Sequence, residues 1–477
     1  MDDEPLALLP PATVHLIGVC GTGMGALAGL LAAAGFEVTG SDAAAYPPMS
    51  TQLAALGIRV CEGYRAGNLD HDPDLVVVGN VCRADHPEAA AARERGLLCA
   101  SMPRALRDLF LTGREPLVVA GTHGKTTTTA MLGFLLHAAG MDPSVLVGGV
   151  TADFGAGHRL GRGPHFVLEG DEYDSAWFEK RPKFLSYAPR AAAITSVEHD
   201  HVDIYPTWEA YREAFLAFAG LVRPGPLAVW TGDEAALEIC GGARCEVVAY
   251  AVEGDPGPVA DWVARPTDEE GGFDLLVRGA PAGRFRSVMA GRHNLRNTLA
   301  ALILAHRAAG VPLERLAADL PRFGGVARRQ QVIGRPRGIA VYDDFAHHPT
   351  AVRETLAALC SRHPRVLAAF EPRSATACRS IHQSGYASAF DGIALAVIAP
   401  LGRDLPADQR LDIARLAADI EARGGRAIAA TDLDQVIAAL VREARPGDGV
   451  ALLSNGSFGG IGPRLVEALE TPGGDAE

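Results

Sequence analysis

A lysine and two threonines close the glycine turn Gly121-Thr122-His123-Gly124-Lys125-Thr126-Thr127, which follows the apolar run Leu117–Ala120 and precedes an Ala/Leu-rich segment. The order is strand, glycine turn, helix. Such a turn aims backbone N–H groups at phosphate oxygens, and the helix N-terminus adds a positive dipole end. Lys125 then reaches the outer phosphates of a nucleotide, and the Thr126 hydroxyl suits Mg2+. The full pattern asks for glycine five residues before Gly124; Val119 stands there, so the loop is a shortened variant. Downstream, Glu169-Gly170-Asp171-Glu172-Tyr173-Asp174 packs four carboxylates into six residues. They need cations, solvent or raised pKa values, and oxygen ligands suit Mg2+.

Further clusters carry chemistry. Glu198-His199-Asp200-His201-Val202-Asp203 offers two histidines and three acids. It lacks the His-Glu-x-x-His pattern and any cysteine partner, so a zinc hydrolase is not favoured. Gly21-Thr22-Gly23-Met24-Gly25-Ala26, with Asp42 beyond it, fits a dinucleotide fingerprint; its narrower content is a diphosphate held at a helix N-terminus. Asn294 and Asn297 share one face of a helix. The pair Arg328-Arg329 and the stretch Asp343-Asp344-Phe345-Ala346-His347-His348 follow.

These residues need elements to hold them. Apolar runs at Val14–Gly18, Phe36–Thr39, Leu75–Val78, Leu117–Ala120, Phe166–Glu169, Ala193–Val197, Ile339–Tyr342, Val366–Phe370, Ala394–Ile398 and Val450–Leu453 alternate with helical segments. That alternation predicts parallel sheets of α/β type. A helix is expected from about Thr127 to Ala139, ended by Gly140. Gly- and Pro-punctuated stretches at Thr112–Pro116 and Gly334–Gly338 mark joins, and 477 residues accommodate roughly three domains.

The net charge is −13, which argues against a nucleic-acid-binding protein. Mean hydropathy is +0.10, yet apolar stretches such as Gly392–Gly402 fall short of the roughly 18 residues a spanning helix needs. Met1-Asp2-Asp3-Glu4 has the wrong charge for a secretory signal, so a cytoplasmic protein is expected. The eight cysteines form no Cys-x-x-Cys pair and read as buried reduced thiols.

Taken together, these motifs resemble the Mur ligases, ATP-dependent amide-forming enzymes of peptidoglycan metabolism. The order matches along nearly the whole chain: the first glycine loop, Gly121–Thr126, Glu169, His201, Asn294 with Asn297, the arginine pair and Asp344. One departure is Ser196, where the family usually has Asn. The resemblance implies an α/β protein of three domains. Residues 1–113 would form a Rossmann-like UDP-sugar domain, 114–333 a central P-loop ATPase domain, and 334–477 a Rossmann-like amino-substrate domain. Two branches of the family start from UDP-N-acetylmuramate. One adds L-alanine; the other adds the recycled tripeptide L-Ala-γ-D-Glu-meso-diaminopimelate. Gly18–Thr22, Ala45–Thr51, Asp171–Phe184, Asp343–Ala351, Phe370–Thr376 and Ser454–Gly460 look like the second.

The resemblance also implies roles. ATP and Mg2+ are the expected cofactors, and an acyl phosphate the expected intermediate. Lys125, Glu169 and His201 are the expected catalytic residues, with Thr126, Glu169 and His201 on metal. The ATP site would draw on Gly121, Thr122, His123, Gly124, Lys125, Thr126, Thr127, Asn294, Asn297, Arg329 and Asp344. The UDP-sugar would meet Gly21, Thr22, Gly23, Met24 and Asp42, and the amino substrate Arg373, Ser454 and Asn455. A monomer or weak dimer is expected, with no nucleic-acid or membrane partner. The alternatives are the L-alanine-adding ligase and, in another class, a nicotinamide-dependent oxidoreductase that would leave the Lys125 loop idle.

Overall fold

A computed structural model describes residues 4–45, 49–80 and 82–471. Residues 46–48 of the Ala45–Thr51 stretch lie outside them. Two compact units emerge. The first comprises the chain up to His199 with Thr207–Val288 and Arg296–Gly325; the second comprises Asp200–Pro206, Met289–Leu295 and the chain from Val326.

The first unit carries two sheets. Strands β1 (Thr13–Ile17), β2 (Glu37–Asp42), β3 (Arg59–Glu62), β4 (Leu75–Val78) and β5 (Cys99–Ser101) make an all-parallel sheet in the order β3-β2-β1-β4-β5. Its central strands are almost wholly buried, as expected of a parallel sheet covered on both faces. The Thr22–Ala33 helix follows β1 and buries Met24–Leu31.

The second sheet has ten strands. They are β6 (Glu115–Ala120), β7 (Ser144–Leu146), β8 (His158–Arg159), β9 (His165–Gly170), β12 (Ala191–Ile194), β13 (Leu227–Trp230), β14 (Val247–Val252), β15 (Trp262–Pro266), β16 (Gly272–Val277) and β17 (Ala280–Arg286). A small hairpin of β10 (Asp174–Ala176) and β11 (Glu179–Pro182) stands apart from it. The order is β17-β16-β15-β14-β13-β12-β6-β9-β7-β8. The middle is parallel, but β15-β16-β17 at one edge and β7-β8 at the other are antiparallel. The parallel middle agrees with the expected α/β sheets; the antiparallel edges are additions to it, since a short turn such as Arg278-Gly279 joins only antiparallel neighbours.

The two sheets of the first unit are pinned together. Trp177 and Phe178, at the tip of the small hairpin, pack against the buried apolar cluster that includes Ile17, Val78, Cys82 and Ala89. Ser101 Oγ donates to Glu179 Oε2 at 2.5 Å. His158 lies against the Thr22–Ala33 helix where Gly29 leaves room; a Cβ there would come within 2.0 Å of its ring.

In the second unit, β18 (Gln331–Gly334), β19 (Ala340–Asp344), β20 (Val366–Phe370), β21 (Leu395–Ile398), β22 (Ala427–Ala429) and β23 (Gly449–Leu453) form a sheet in the order β18-β19-β23-β20-β21-β22. Only β18 is antiparallel. Apolar cores lie on both of its faces. Of the eight cysteines, all free, only Cys82, Cys240 and Cys378 are buried and Cys360 is exposed, so the expectation of buried thiols holds for three. Among the described residues no helix is long and apolar enough to cross a membrane.

Candidate active site

Strand β6 ends at Ala120 and the chain turns on Gly121, whose φ of +132° a side chain would strain. A Cβ on Gly121 would also meet Thr195 Oγ1 at 2.2 Å, and one on Gly124, at φ +81°, would meet Asn297 Oδ1 at 2.3 Å. The backbone thus lies flush against its neighbours. The helix begins at Lys125, two residues earlier than the apolar pattern indicated, with Gly124 as its left-handed N-cap. Residues after β12 hold the loop from behind. Thr122 N–H donates to the Ser196 carbonyl at 2.8 Å and His123 N–H to Ser196 Oγ at 3.0 Å. Ser196, the departure from the family pattern, therefore fastens the loop directly. His123 Nε2 lies 2.8 Å from Glu198 Oε2.

Lys125 Nζ donates to the Gly121 carbonyl at 2.5 Å and pairs with the fully buried Glu172 at 2.9 Å. Burial pushes the ammonium down, but Glu172, Asp171 and Glu169 outweigh it and hold the pKa above the usual lysine value. Thr126 Oγ1 donates to Glu169 Oε1 at 3.0 Å, and the other carboxylate oxygen accepts from Gly148 N–H at 2.7 Å. The acidic run resolves into separate partnerships: Asp171 with Lys183 and Asp174 with Lys180, each at 2.7 Å. Burial alone would raise Asp171, yet Lys183 and then Lys125 keep it below the usual carboxylate range. Ser196 was noted from sequence only as a departure from the family pattern, and Gly148 was not singled out. Glu172 was legible only as one acid in a run.

The first glycine loop is tied to the end of β2. Gly18 and Val19 N–H groups donate to the Ser41 carbonyl, and Cys20 N–H donates to Asp42 Oδ2 at 2.8 Å. The other Asp42 oxygen accepts from Ala43 N–H and the Tyr64 hydroxyl. Gly21, Thr22, Gly23 and Met24 open the following helix. Beneath them, fully buried Glu88 accepts from Ser41 Oγ and Asn68 Nδ2, each at 2.5 Å, and from Arg65 N–H, with His15 Nε2 at 3.6 Å. Sequence reasoning missed this anchor, because Glu88 sits in an Ala-rich helix of ordinary appearance.

His201, Asn294, Arg329, Asp344, Arg373, Ser454 and Asn455 belong to the second unit. His201 sits at φ +53° beside Asp200. Burial would raise Asp200, but His201, His347 and His348 hold it well below the usual range. Asn294, buried, donates to the Ala290 carbonyl at 2.7 Å. Asn297 lies with the first unit, against Gly124. Asp344 accepts from Gln330 N–H at 2.7 Å and Ala346 N–H at 2.8 Å, and burial raises its carboxyl. Arg329 stacks over Phe345 at 4.8 Å. Arg328 donates to the carbonyls of Ser454 and Gly456. Ser454 Oγ donates to Glu371 Oε2 at 2.5 Å, and Arg373 lies 3.4 Å from the other oxygen.

Three domain descriptions match the chain in order: "Mur ligase family, catalytic domain" at residues 13–114, "Mur ligase middle domain" at 119–305 and "Mur ligase, glutamate ligase domain" at 328–456. The chain belongs to the Mur ligase family. As a Mur ligase it forms an amide bond at the expense of ATP, and the glycine fingerprint of its first sheet is no longer a reason to invoke a nicotinamide enzyme. This Mur ligase is 36% identical over 466 residues to the UDP-N-acetylmuramate–L-alanyl-γ-D-glutamyl-meso-2,6-diaminoheptandioate ligase of Escherichia coli, covering 96% of the chain and 98% of that protein. It is 35% identical over 477 residues to the UDP-N-acetylmuramate–L-alanine ligase of Symbiobacterium thermophilum, covering 97% and 96%. The crystal structure of a murein peptide ligase from Psychrobacter arcticus superposes with a TM-score of 0.72 at 33% identity, covering 97% of this chain and all of that one.

Proposed function

We propose that this Mur ligase joins UDP-N-acetylmuramate to L-alanyl-γ-D-glutamyl-meso-diaminopimelate while ATP is converted to ADP and phosphate. The full-length similarity to ligases of that name carries the choice of tripeptide. The Lys125–Thr126–Glu169 arrangement supports the reaction type. In the proposed sequence the muramate carboxylate attacks the γ-phosphorus of ATP. The amine of the alanyl residue then attacks the resulting acyl phosphate, and phosphate leaves. No covalent enzyme nucleophile is needed, so the protein's work is positioning and charge neutralisation.

In this reading Lys125 neutralises the β- and γ-phosphate oxygens. The N–H groups of Gly121–Thr127 cradle them, and Asn294, Asn297, Arg329 and Asp344 border the nucleotide. Gly21, Thr22, Gly23, Met24 and Asp42 hold the UDP-sugar, Asp42 by keeping its loop in shape. Arg373, Ser454 and Asn455 face the amino substrate. Thr126 and Glu169 fit Mg2+, since a hydroxyl and a carboxylate oxygen lie 3.0 Å apart and Mg2+ favours oxygen donors completed by phosphates and water. When bound there, the ion offsets phosphate charge. His201 is the proposed ligand of a second cation; a ring beside Asp200, with His347 and His348 near, suits an imidazole-tolerant divalent ion. ATP as substrate puts the reaction in the cytoplasm, by a monomer or weak dimer whose domains join near Gly113 and Gly334.

The second reading is the L-alanine-adding ligase, favoured by the 35% identity to an enzyme of that name. One experiment separates them. The enzyme is incubated with ATP, Mg2+ and UDP-N-acetylmuramate, both amines are offered, and the product is weighed by mass spectrometry. A tripeptide adduct is expected. An alanine adduct alone would reverse the assignment.

A further inference from the structure

In the second unit, the loops after β20 and β21 are zipped together. Gly402 N–H donates to the Pro372 carbonyl at 2.8 Å, Leu411 N–H to Cys378 at 2.7 Å, and Ser380 N–H to Gln409 at 2.9 Å. Within this zipper Arg379 and Arg410 stand opposite each other in an antiparallel bridge. Directly opposed residues project to the same side with Cβ atoms about 5 Å apart, and like charges there repel. Arg379 Nε is moreover buried without a hydrogen-bond partner, a state that calls for a missing acceptor.

Among the described residues nothing supplies that acceptor. Arg379, Arg403 and Arg410 make no ion pair among the described residues, and Asp404 and Asp408, exposed on the same loop, take none of them. Glu371 is already engaged by Ser454 Oγ and Arg373. Arg403 Nε donates to the Arg373 carbonyl at 3.0 Å, which fixes a third guanidinium beside Arg373. Gly402 and Gly456 hem in the Arg373 side chain, since a Cβ on either would lie within 3 Å of it. Arg379, Arg403 and Arg410 are therefore placed by backbone geometry, and within the cluster only Arg373 has an acidic neighbour, Glu371.

We propose that Arg379 and Arg410, with Arg403 beside Arg373, bind carboxylates of the amino substrate that lie beyond its alanyl residue. The proposal rests on the tripeptide reading above. L-alanine carries one carboxylate. In the tripeptide that group is spent in an amide, but the glutamyl α-carboxylate and both diaminopimelate carboxylates are free. Guanidinium forks match carboxylates in two-point geometry. Three free carboxylates give opposed arginines more partners than the single carboxylate of L-alanine does.

The test is steady-state kinetics of the full chain with ATP, Mg2+ and UDP-N-acetylmuramate, varying the tripeptide, L-alanyl-γ-D-glutamate or ATP. Arg379→Ala and Arg410→Ala should each raise the tripeptide KM by about tenfold to a hundredfold, with kcat kept within about threefold. The ATP KM should stay within about twofold, and the dipeptide, lacking both diaminopimelate carboxylates, should be affected less. Arg379→Lys, which keeps charge and bulk, should give an intermediate KM and guards against a folding defect in the alanine variant. An unchanged tripeptide KM in both alanine variants overturns the proposal, as does an equal loss for every substrate in variants that melt like wild type. A wild-type enzyme that ligates L-alanine and never the tripeptide overturns both the reading and the proposal, and is seen before any variant is made.

Discussion

Lys125 and Glu172 show how a charge proposed to meet phosphate is kept in a buried place. The ammonium is surrounded by Glu172, Asp171 and Glu169, so it stays protonated despite desolvation. Replacing Lys125 with Met should cut turnover at least about 10²–10³-fold, by analogy with other preorganised donors. It also strands Glu172, and breaking a buried pair costs about 3–5 kcal/mol. Adding Glu172→Gln to Lys125→Met should restore the melting temperature and leave turnover low; recovery of turnover would remove Lys125 from the reaction. Glu88 yields a pH prediction. Burial alone would raise it, but His15, Ser41, Asn68 and Arg65 N–H hold it below the ordinary glutamate value. A depressed folded pKa stabilises above the unfolded value of about 4.3 and is lost as pH falls through the folded one. The urea midpoint should therefore fall on acidification below about pH 4. Glu88→Gln should be less stable at pH 7 and show a smaller fall.

At the scale of elements, small residues decide how closely strands, helices and loops approach. Gly29 has no left-handed backbone to justify it; its role is to admit the His158 ring. Gly29→Ala should destabilise by about 1–3 kcal/mol, as overpacking does. His158→Ala in the same chain should recover most of that loss in thermal unfolding, and no recovery would mean that the helix itself is at fault. The Lys125–Ala138 helix illustrates the opposite case. Its apolar face was legible, but its start was not, because Gly124 as a left-handed cap brings Lys125 and Thr126 into the first turn. That places both side chains at the mouth of the phosphate loop.

For the molecule as a whole, the first two sheets behave as one unit because the hairpin bearing Trp177 and Phe178 reaches from the second sheet to the first. Arg93 lies over the Trp177 ring at 5.9 Å. In calorimetry these sheets should melt together in the wild-type protein. Trp177→Ala should lower that transition by a loss of up to about 3 kcal/mol and raise the KM for UDP-N-acetylmuramate more than that for ATP. An unchanged transition would show that Ser101–Glu179 and His158 hold the join without it.

From residue order alone came the α/β alternation and the proposal of a phosphate-binding loop. Both are local: a glycine turn between strand and helix can offer backbone N–H groups to phosphate, and Leu75–Val78 or Val366–Phe370 reads as a buried strand without knowledge of its neighbours. Partnerships across the fold were not legible. Which lysine meets which acid of Glu169–Asp174, that Ser196 fastens the Gly121–Thr127 loop, that Glu88 ties Ser41 to Asn68 beneath the first glycine loop, and that Arg379 faces Arg410 all depend on chain segments distant in sequence. The physical reason is that a side chain's type sets what it can bond, while only packing sets the few ångströms and the loss of water that decide what it does bond.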